Sequence, residues 1–124
     1  MANKIHSFED MDVYQKLLQL HLEVHELTMT FPKFELYELG SQLRRSSNSA
    51  PANFSEGWNN KHINIYLEEI SRALGEIRES KHHLTVGNKK KYFSLEKYNN
   101  LIERYDECSK MLHGLENSLH KYKP

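Results

Sequence analysis

Hydrophobic residues recur with helical spacing along four long stretches of the chain. In the first, from about Asp10 to Thr30, Val13, Leu17, Leu20, Val24, Leu27 and Phe31 alternate at steps of four and three, which puts them on one helix face. Tyr14, Leu18, His21, His25 and Thr28 flank that stripe and predict a wide buried face. Ser7 with Asp10 has the spacing of a capping pair, and Pro32 stops the segment, because the residue before a proline disfavours helix.

The second stretch, Phe34 to Gly57, opens regularly with Leu36, Leu39 and Leu43. Then Ser46-Ser47-Asn48-Ser49-Ala50-Pro51-Ala52-Asn53 places small and polar residues around an internal proline. Propensity alone breaks the helix near Ser49. The alternative is a kinked helix running on through Ala52 and Phe54, with small side chains admitting a close neighbour. Gly57 reads as its stop.

The third stretch, Asn64 to Val86, carries Leu67, Ile70, Leu74, Ile77 and Leu84, widened by Tyr66, Ala73 and Ser80. Gly75 inside it costs about 1 kcal/mol against alanine, for which a close helix crossing is one reason, and Gly87-Asn88 supplies a C-cap and turn. The fourth, Ser94 to Tyr122, has Ser94 as N-cap and a stripe of Leu95, Tyr98, Ile102, Tyr105, Leu112, Leu115, Leu119 and Tyr122. Four amphipathic segments with short connections predict an all-α, antiparallel up-down-up-down four-helix bundle, a single domain over residues 1–124.

Composition adds constraints on function. Charged residues make up 27% of the chain, yet 17 basic side chains balance 17 acidic ones, so a nucleic-acid footprint has to come from uneven distribution. The stretch from Arg72 to Lys97 has seven basic residues against three acidic, whereas Met1 to Phe34 has three against five. The candidate nucleic-acid contacts are Arg44, Arg45, Lys61, Lys81 and the run Lys89-Lys90-Lys91, which Tyr92 and Phe93 follow. For a short lysine run alone, a solvated helix connection is the simpler reading.

No apolar run approaches the roughly 20 residues that span a bilayer, and Met1 to Phe8 lacks the apolar core of a signal peptide. The expected compartment is the cytoplasm, with no membrane contact. The lone cysteine, Cys108, excludes an intrachain disulfide and reads as packing.

His21 and His25 share a helix face, but no third ligand accompanies them. Glu79-Ser80-Lys81-His82 supplies one Glu-x-x-His spacing where a di-metal site needs two. With no nucleophile beside a base and no phosphate loop, the sequence predicts neither an enzyme nor a metal or cofactor.

One signature goes further. Phe31-Pro32, Gln42-Leu43-Arg44-Arg45-Ser46 and Ser49-Ala50-Pro51-Ala52-Asn53-Phe54-Ser55-Glu56-Gly57, followed by Tyr66-Leu67 and Ser71-Arg72-Ala73-Leu74-Gly75-Glu76, resemble the bacterial four-helix-bundle family first associated with open reading frames inside 23S ribosomal RNA intervening sequences. The resemblance runs from about Phe8 to Tyr122.

It implies a second helix that passes through Pro51, and a homo-oligomer, a ring of five being known for relatives. A related, strongly basic branch accompanies the reverse transcriptase of diversity-generating retroelements and binds nucleic acid. The partners to expect are therefore further copies of the chain, RNA or DNA, or a recruited protein. In this light Gln42, Pro51, Asn53, Glu56, Gly57 and Glu76 are structural: Asn53 and Glu56 satisfy backbone groups freed at the proline, and Arg44, Arg45 and Glu76 form ion pairs between helices or subunits.

Overall fold

A computed structural model describes residues 4–122. Among them the regular structure is all helical: α1 (Asp12–Thr28), α2 (Leu39–Gly57), α3 (Ile63–Lys89) and α4 (Leu95–Leu119), with short 3-10 turns at Phe8–Asp10, Lys33–Glu35 and His120–Tyr122. No described helix is long and apolar enough to cross a membrane.

Each helix packs on the next in sequence, and α1 packs on α4, which closes the ring. Cross-helix contacts give the directions. Gly57 lies against Glu69 while Ser46 meets Ser80, so α3 runs opposite to α2. His21 meets Ser47 and Thr28 meets Arg44 between α1 and α2. Lys81 meets Asp106 and Thr85 meets Tyr98 between α3 and α4. Lys16 meets Glu107 and Glu23 meets Lys97 between α1 and α4.

The apolar stripes meet in the centre, where Leu17, Val24, Leu43, Phe54, Ile70, Ile77 and Leu84 are essentially inaccessible. Burial of each such side chain is worth about 1.5–3 kcal/mol, and this holds helices whose outer faces are largely polar.

Local chemistry sets the ends. Ser7 and Asp10 do form a capping box, but it caps the 3-10 turn, and α1 starts after Met11. Ser94 accepts the Lys97 amide as N-cap of α4. The second helix begins at Leu39, not Phe34. Lys33–Glu35 forms a separate turn, and Glu38, at φ −115° and ψ −107°, interrupts any continuous helix. Leu36, expected in the opening helical stripe, therefore lies outside α2.

From Leu39 to Gly57 α2 is one α-helix with Pro51 inside it. A proline there removes the amide that would bond the Ser47 carbonyl, and in an isolated helix costs about 3 kcal/mol or more. Burial offsets this cost: Ala50, Pro51 and Phe54 are all packed inside. Neither Asn53 nor Glu56 makes a side-chain hydrogen bond to the freed groups. Asn53 is half-buried and Glu56 is exposed, which corrects the role read for them from sequence.

Two further expectations change. On α4 the buried residues are Leu101, Tyr105, Cys108 and Leu112, whereas Leu95 and Tyr122 are exposed. The stripe is rotated from the expected one, and Cys108 is core, its thiol pushed up to about 11 by burial. On α1 the flanking stripe divides, with Thr28 buried but Leu18 and His25 exposed.

Close approaches also fall elsewhere. A Cβ on Gly75 would meet only Arg78 Nη2, at 3.7 Å, and one on Gly114 would meet nothing within 4 Å. A Cβ on Gly57 would lie 2.4 Å from Glu69 Cβ. The tight α2–α3 crossing is therefore at Gly57. Gly87 is inside α3 with Phe93 against it, and the reversal comes at Lys91, whose φ is 65°.

These environments predict opposite signs for one substitution type. Gly75→Ala and Gly114→Ala each raise the unfolding free energy by roughly 0.5–1 kcal/mol, because they lower only the backbone entropy cost. Gly57→Ala lowers it by about 1–3 kcal/mol, as overpacked sites do. Urea unfolding of the three variants followed by circular dichroism checks this.

Candidate functional site

The seven basic residues singled out in the sequence do not form one patch. Arg44 turns inward at the α1–α2 contact, donating to Thr28 Oγ1 at 2.9 Å and to the Leu36 carbonyl at 2.6 Å. Arg45 reaches Glu79 across α2–α3 at 3.5 Å, and Lys81 pairs with Asp106. Lys90 pairs with Glu35 at 3.0 Å. Lys61 lies in the α2–α3 connection, near Tyr122 and away from the lysine run. That leaves Lys89 and Lys91, exposed and without an ion pair among the described residues.

What surrounds those two is decided by Glu35. Its side chain, 3% exposed, accepts hydrogen bonds from Tyr92 Oη at 2.7 Å and Lys90 Nζ at 3.0 Å. The Tyr92 hydroxyl, and then Lys90, hold its carboxyl below the usual carboxylate range. This clasp ties the α1–α2 connection to the α3–α4 connection at one end of the bundle.

Tyr92 and Phe93 fold inward onto Phe31, with ring centroids at 5.2 and 6.0 Å, so they are not the free aromatics expected. The exposed aromatics come from the other connection: Phe34 is 70% and Tyr37 86% exposed. They belong with Lys33 to the α1–α2 connection, which the clasp joins to the α3–α4 end that carries Lys89 and Lys91. Sequence reasoning missed Lys33, Phe34 and Tyr37 because it placed the last two in the opening turn of a helix.

A second surface gathers the signature. Gln42, Arg45, Ser49, Asn53 and Glu56 follow one stripe along α2, and Glu69, Arg72, Glu76, Glu79 and His83 follow another along α3. The contacts Gly57–Glu69 and Arg45–Glu79 bring the two stripes together as one outer seam. Arg45 pairs with Glu79 and not with Glu76.

Inside the seam, Ser46 Oγ and Ser80 Oγ share a hydrogen bond at 2.8 Å, with both residues inaccessible. Arg72 contacts Glu68 Oε1 at 2.9 Å and Glu69 Oε1 at 3.6 Å. Glu69 Oε2 and Glu76 Oε2 are buried and have no hydrogen-bond partner. Burial, and then the neighbouring Glu79, push the Glu76 carboxyl above its ordinary value; Arg45 and Ser49 oppose this more weakly.

Between α1 and α4 lies a shallow polar hollow of about 490 Å³, lined by Gln15, Lys16, Gln19, Arg104 and Glu107 among others. Ion pairs Lys16–Glu107 and Arg104–Glu23 clasp its two helices. It holds no nucleophile next to a base. His21 meets Ser47 Oγ at 2.8 Å, and no three His, Cys, Asp or Glu residues among those described come together as metal ligands.

A model of the family described as 23S rRNA-intervening sequence protein matches residues 9–114. The chain belongs to this family. No curated protein matches it. A solved structure similar to it is a protein of unknown function from the S23 ribosomal protein family of Bacteroides thetaiotaomicron VPI-5482, at 23% identity over 84% of this chain and 97% of that one, with a TM-score of 0.73. At that identity the likeness speaks for the fold alone. The family match covers both connections of the lysine end and the whole α2–α3 seam.

The α1–α4 clasp predicts a pH dependence. Chiefly through its hydrogen bond to Arg104, Glu23 is pulled down to about 2 from 4.5. A depressed carboxyl contributes stability that is complete above its unfolded value and lost as pH falls toward its folded one. The melting temperature of the native chain therefore exceeds that of Glu23→Gln at neutral pH. The gap narrows below about pH 4.5 and closes near pH 2, as thermal melts of both across that window will show.

Proposed function

We propose that this protein is a non-enzymatic nucleic-acid-binding protein that acts in the cytoplasm as a homo-oligomer and takes RNA at the lysine end of the bundle. The observation that carries the reading is the clasp at Glu35, which joins the connection bearing exposed Phe34 and Tyr37 and unpaired Lys33 to the one bearing unpaired Lys89 and Lys91. Lysines there meet phosphates, and free aromatic faces stack on unpaired bases, as in loops of a structured RNA. Membership of a family named for 23S rRNA intervening sequences makes RNA the first ligand to test.

Self-association suits a chain of zero net charge. In a ring of five, the arrangement the resemblance implies, each copy adds its lysine end, and weak contacts become a multivalent surface. A second reading is a scaffold that recruits a protein and touches no nucleic acid. The exposed residues Leu18, Leu22 and Met29 on one face of α1 favour it.

Fluorescence anisotropy with a labelled RNA hairpin separates the two. On the RNA reading, binding weakens steeply between about 50 and 200 mM salt, and Lys89→Glu with Lys91→Glu lowers the salt slope by about one per lysine. Arg44→Gln instead costs stability, about 1–3 kcal/mol, and leaves affinity unchanged. No binding at micromolar protein in low salt overturns the RNA reading, and a protein partner retained after nuclease treatment then supports the scaffold.

A further inference from the structure

The end of α3 is a fully bonded turn with an unusual residue in it. The Tyr92 amide donates to the Gly87 carbonyl at 3.0 Å, and the Lys91 amide to the Asn88 carbonyl at 2.9 Å. These are the two bonds of a Schellman cap, and they put Lys91 at the position that turns left-handed. Its φ is 65°. Glycine usually stands there, because a Cβ in that conformation crowds the following carbonyl oxygen. Asn88 Nδ2 bonds the Phe93 carbonyl at 3.1 Å and fixes the turn from its far side. Lys91 cannot relax without undoing the cap. Among the described residues the other non-glycine with positive φ is Asn59, of a type that tolerates this region.

The three lysines of the run differ in what the fold asks of them. Lys89 is the last residue of α3, where a cation suits the negative end of the helix dipole. Lys90 is committed to Glu35, whose Oε2 also accepts from Tyr92 and whose Oε1 accepts from the Leu39 amide at 3.4 Å. Lys91 has neither task. It is exposed, it makes no ion pair among the described residues, and glycine would fit its turn better. Strained residues of this kind gather where a side chain is used and the surrounding structure holds it in place.

We infer that Lys91 is held in this turn for its charge, as the lysine of the run that grips a backbone phosphate of the bound RNA, whereas Lys90 serves the fold. The inference rests on the RNA reading above and divides its lysine run by role. An ammonium that meets a phosphate releases a counterion and adds about one to the salt slope; an ammonium already neutralised by Glu35 adds none.

The test is fluorescence anisotropy of the full chain with a labelled RNA hairpin over a range of salt, with thermal melts in parallel. Lys91→Gly moves the two readouts in opposite directions. Its melting temperature rises by about 2–4 °C as the strain is relieved. Its affinity falls about fivefold to tenfold near 100 mM salt, and its salt slope drops by about one. Lys91→Arg keeps the charge and retains native affinity and slope. Lys90→Met melts lower, because the clasp is broken, and keeps the native slope. A Lys91→Gly chain that binds as the native one does, or that melts no higher, overturns the role of Lys91 while native RNA binding stands. A Lys90→Met slope that drops as far as that of Lys91→Gly overturns the division of the run. A native chain that binds no RNA overturns the RNA reading itself, and the grip with it.

Discussion

The contact between α2 and α3 is the constraint from which the rest of the bundle follows. At Gly57 the two helices come so close that no side chain fits, and Ser46 and Ser80 bond to each other where a larger pair would separate the helices. Small residues permit this closeness, but serine and asparagine are poor helix formers, and Pro51 removes a hydrogen bond from the middle of α2. A helix of this composition is unstable alone. It persists because it is buried against α3 on one side and α1 on the other. Adjacent serines reach both neighbours: Ser46 to Ser80, and Ser47 to His21.

That arrangement also explains how a neutral chain distributes its charge. Tight packing in the centre leaves no room for ions, so charged groups collect along seams and at the ends. Many cations are consumed within the fold: Arg44 fixes the turn before α2, Lys90 ties Glu35, and Arg104 and Lys16 hold α4 to α1. What is left over is polarised, with unpaired lysines where the connections meet and unpaired carboxylate oxygens along the α2–α3 seam.

How much of this was legible depended on whether the signal was local. The stripes Val13-Leu17-Leu20-Val24 and Ile70-Leu74-Ile77-Leu84 lie in long regular helices and could be read directly. In α4 several adjacent apolar residues allow two phases, and only packing selects Leu101 and Cys108 over Leu95 and Tyr122. The start of α2 is not legible in the sequence because Glu38 leaves helical geometry, while Glu35 in the preceding 3-10 turn bonds Tyr92, 57 residues away, and no local pattern encodes that bond. Glycine had the same difficulty. Gly57 and Gly75 look alike in sequence, yet only Gly57 meets a neighbouring helix. The signature pointed to the right residues, but their gathering on one outer seam needed the register of α3 against α2.

Native-state hydrogen exchange tests the central claim most directly. If α2–α3 packing organises the fold, amides of α2 on either side of Pro51 and of the middle of α3 exchange only by global unfolding, despite the proline, while the α1–α4 side opens at lower free energy. Amides around Pro51 that exchange as fast as the chain ends, with α1 and α4 protected most, would contradict the account.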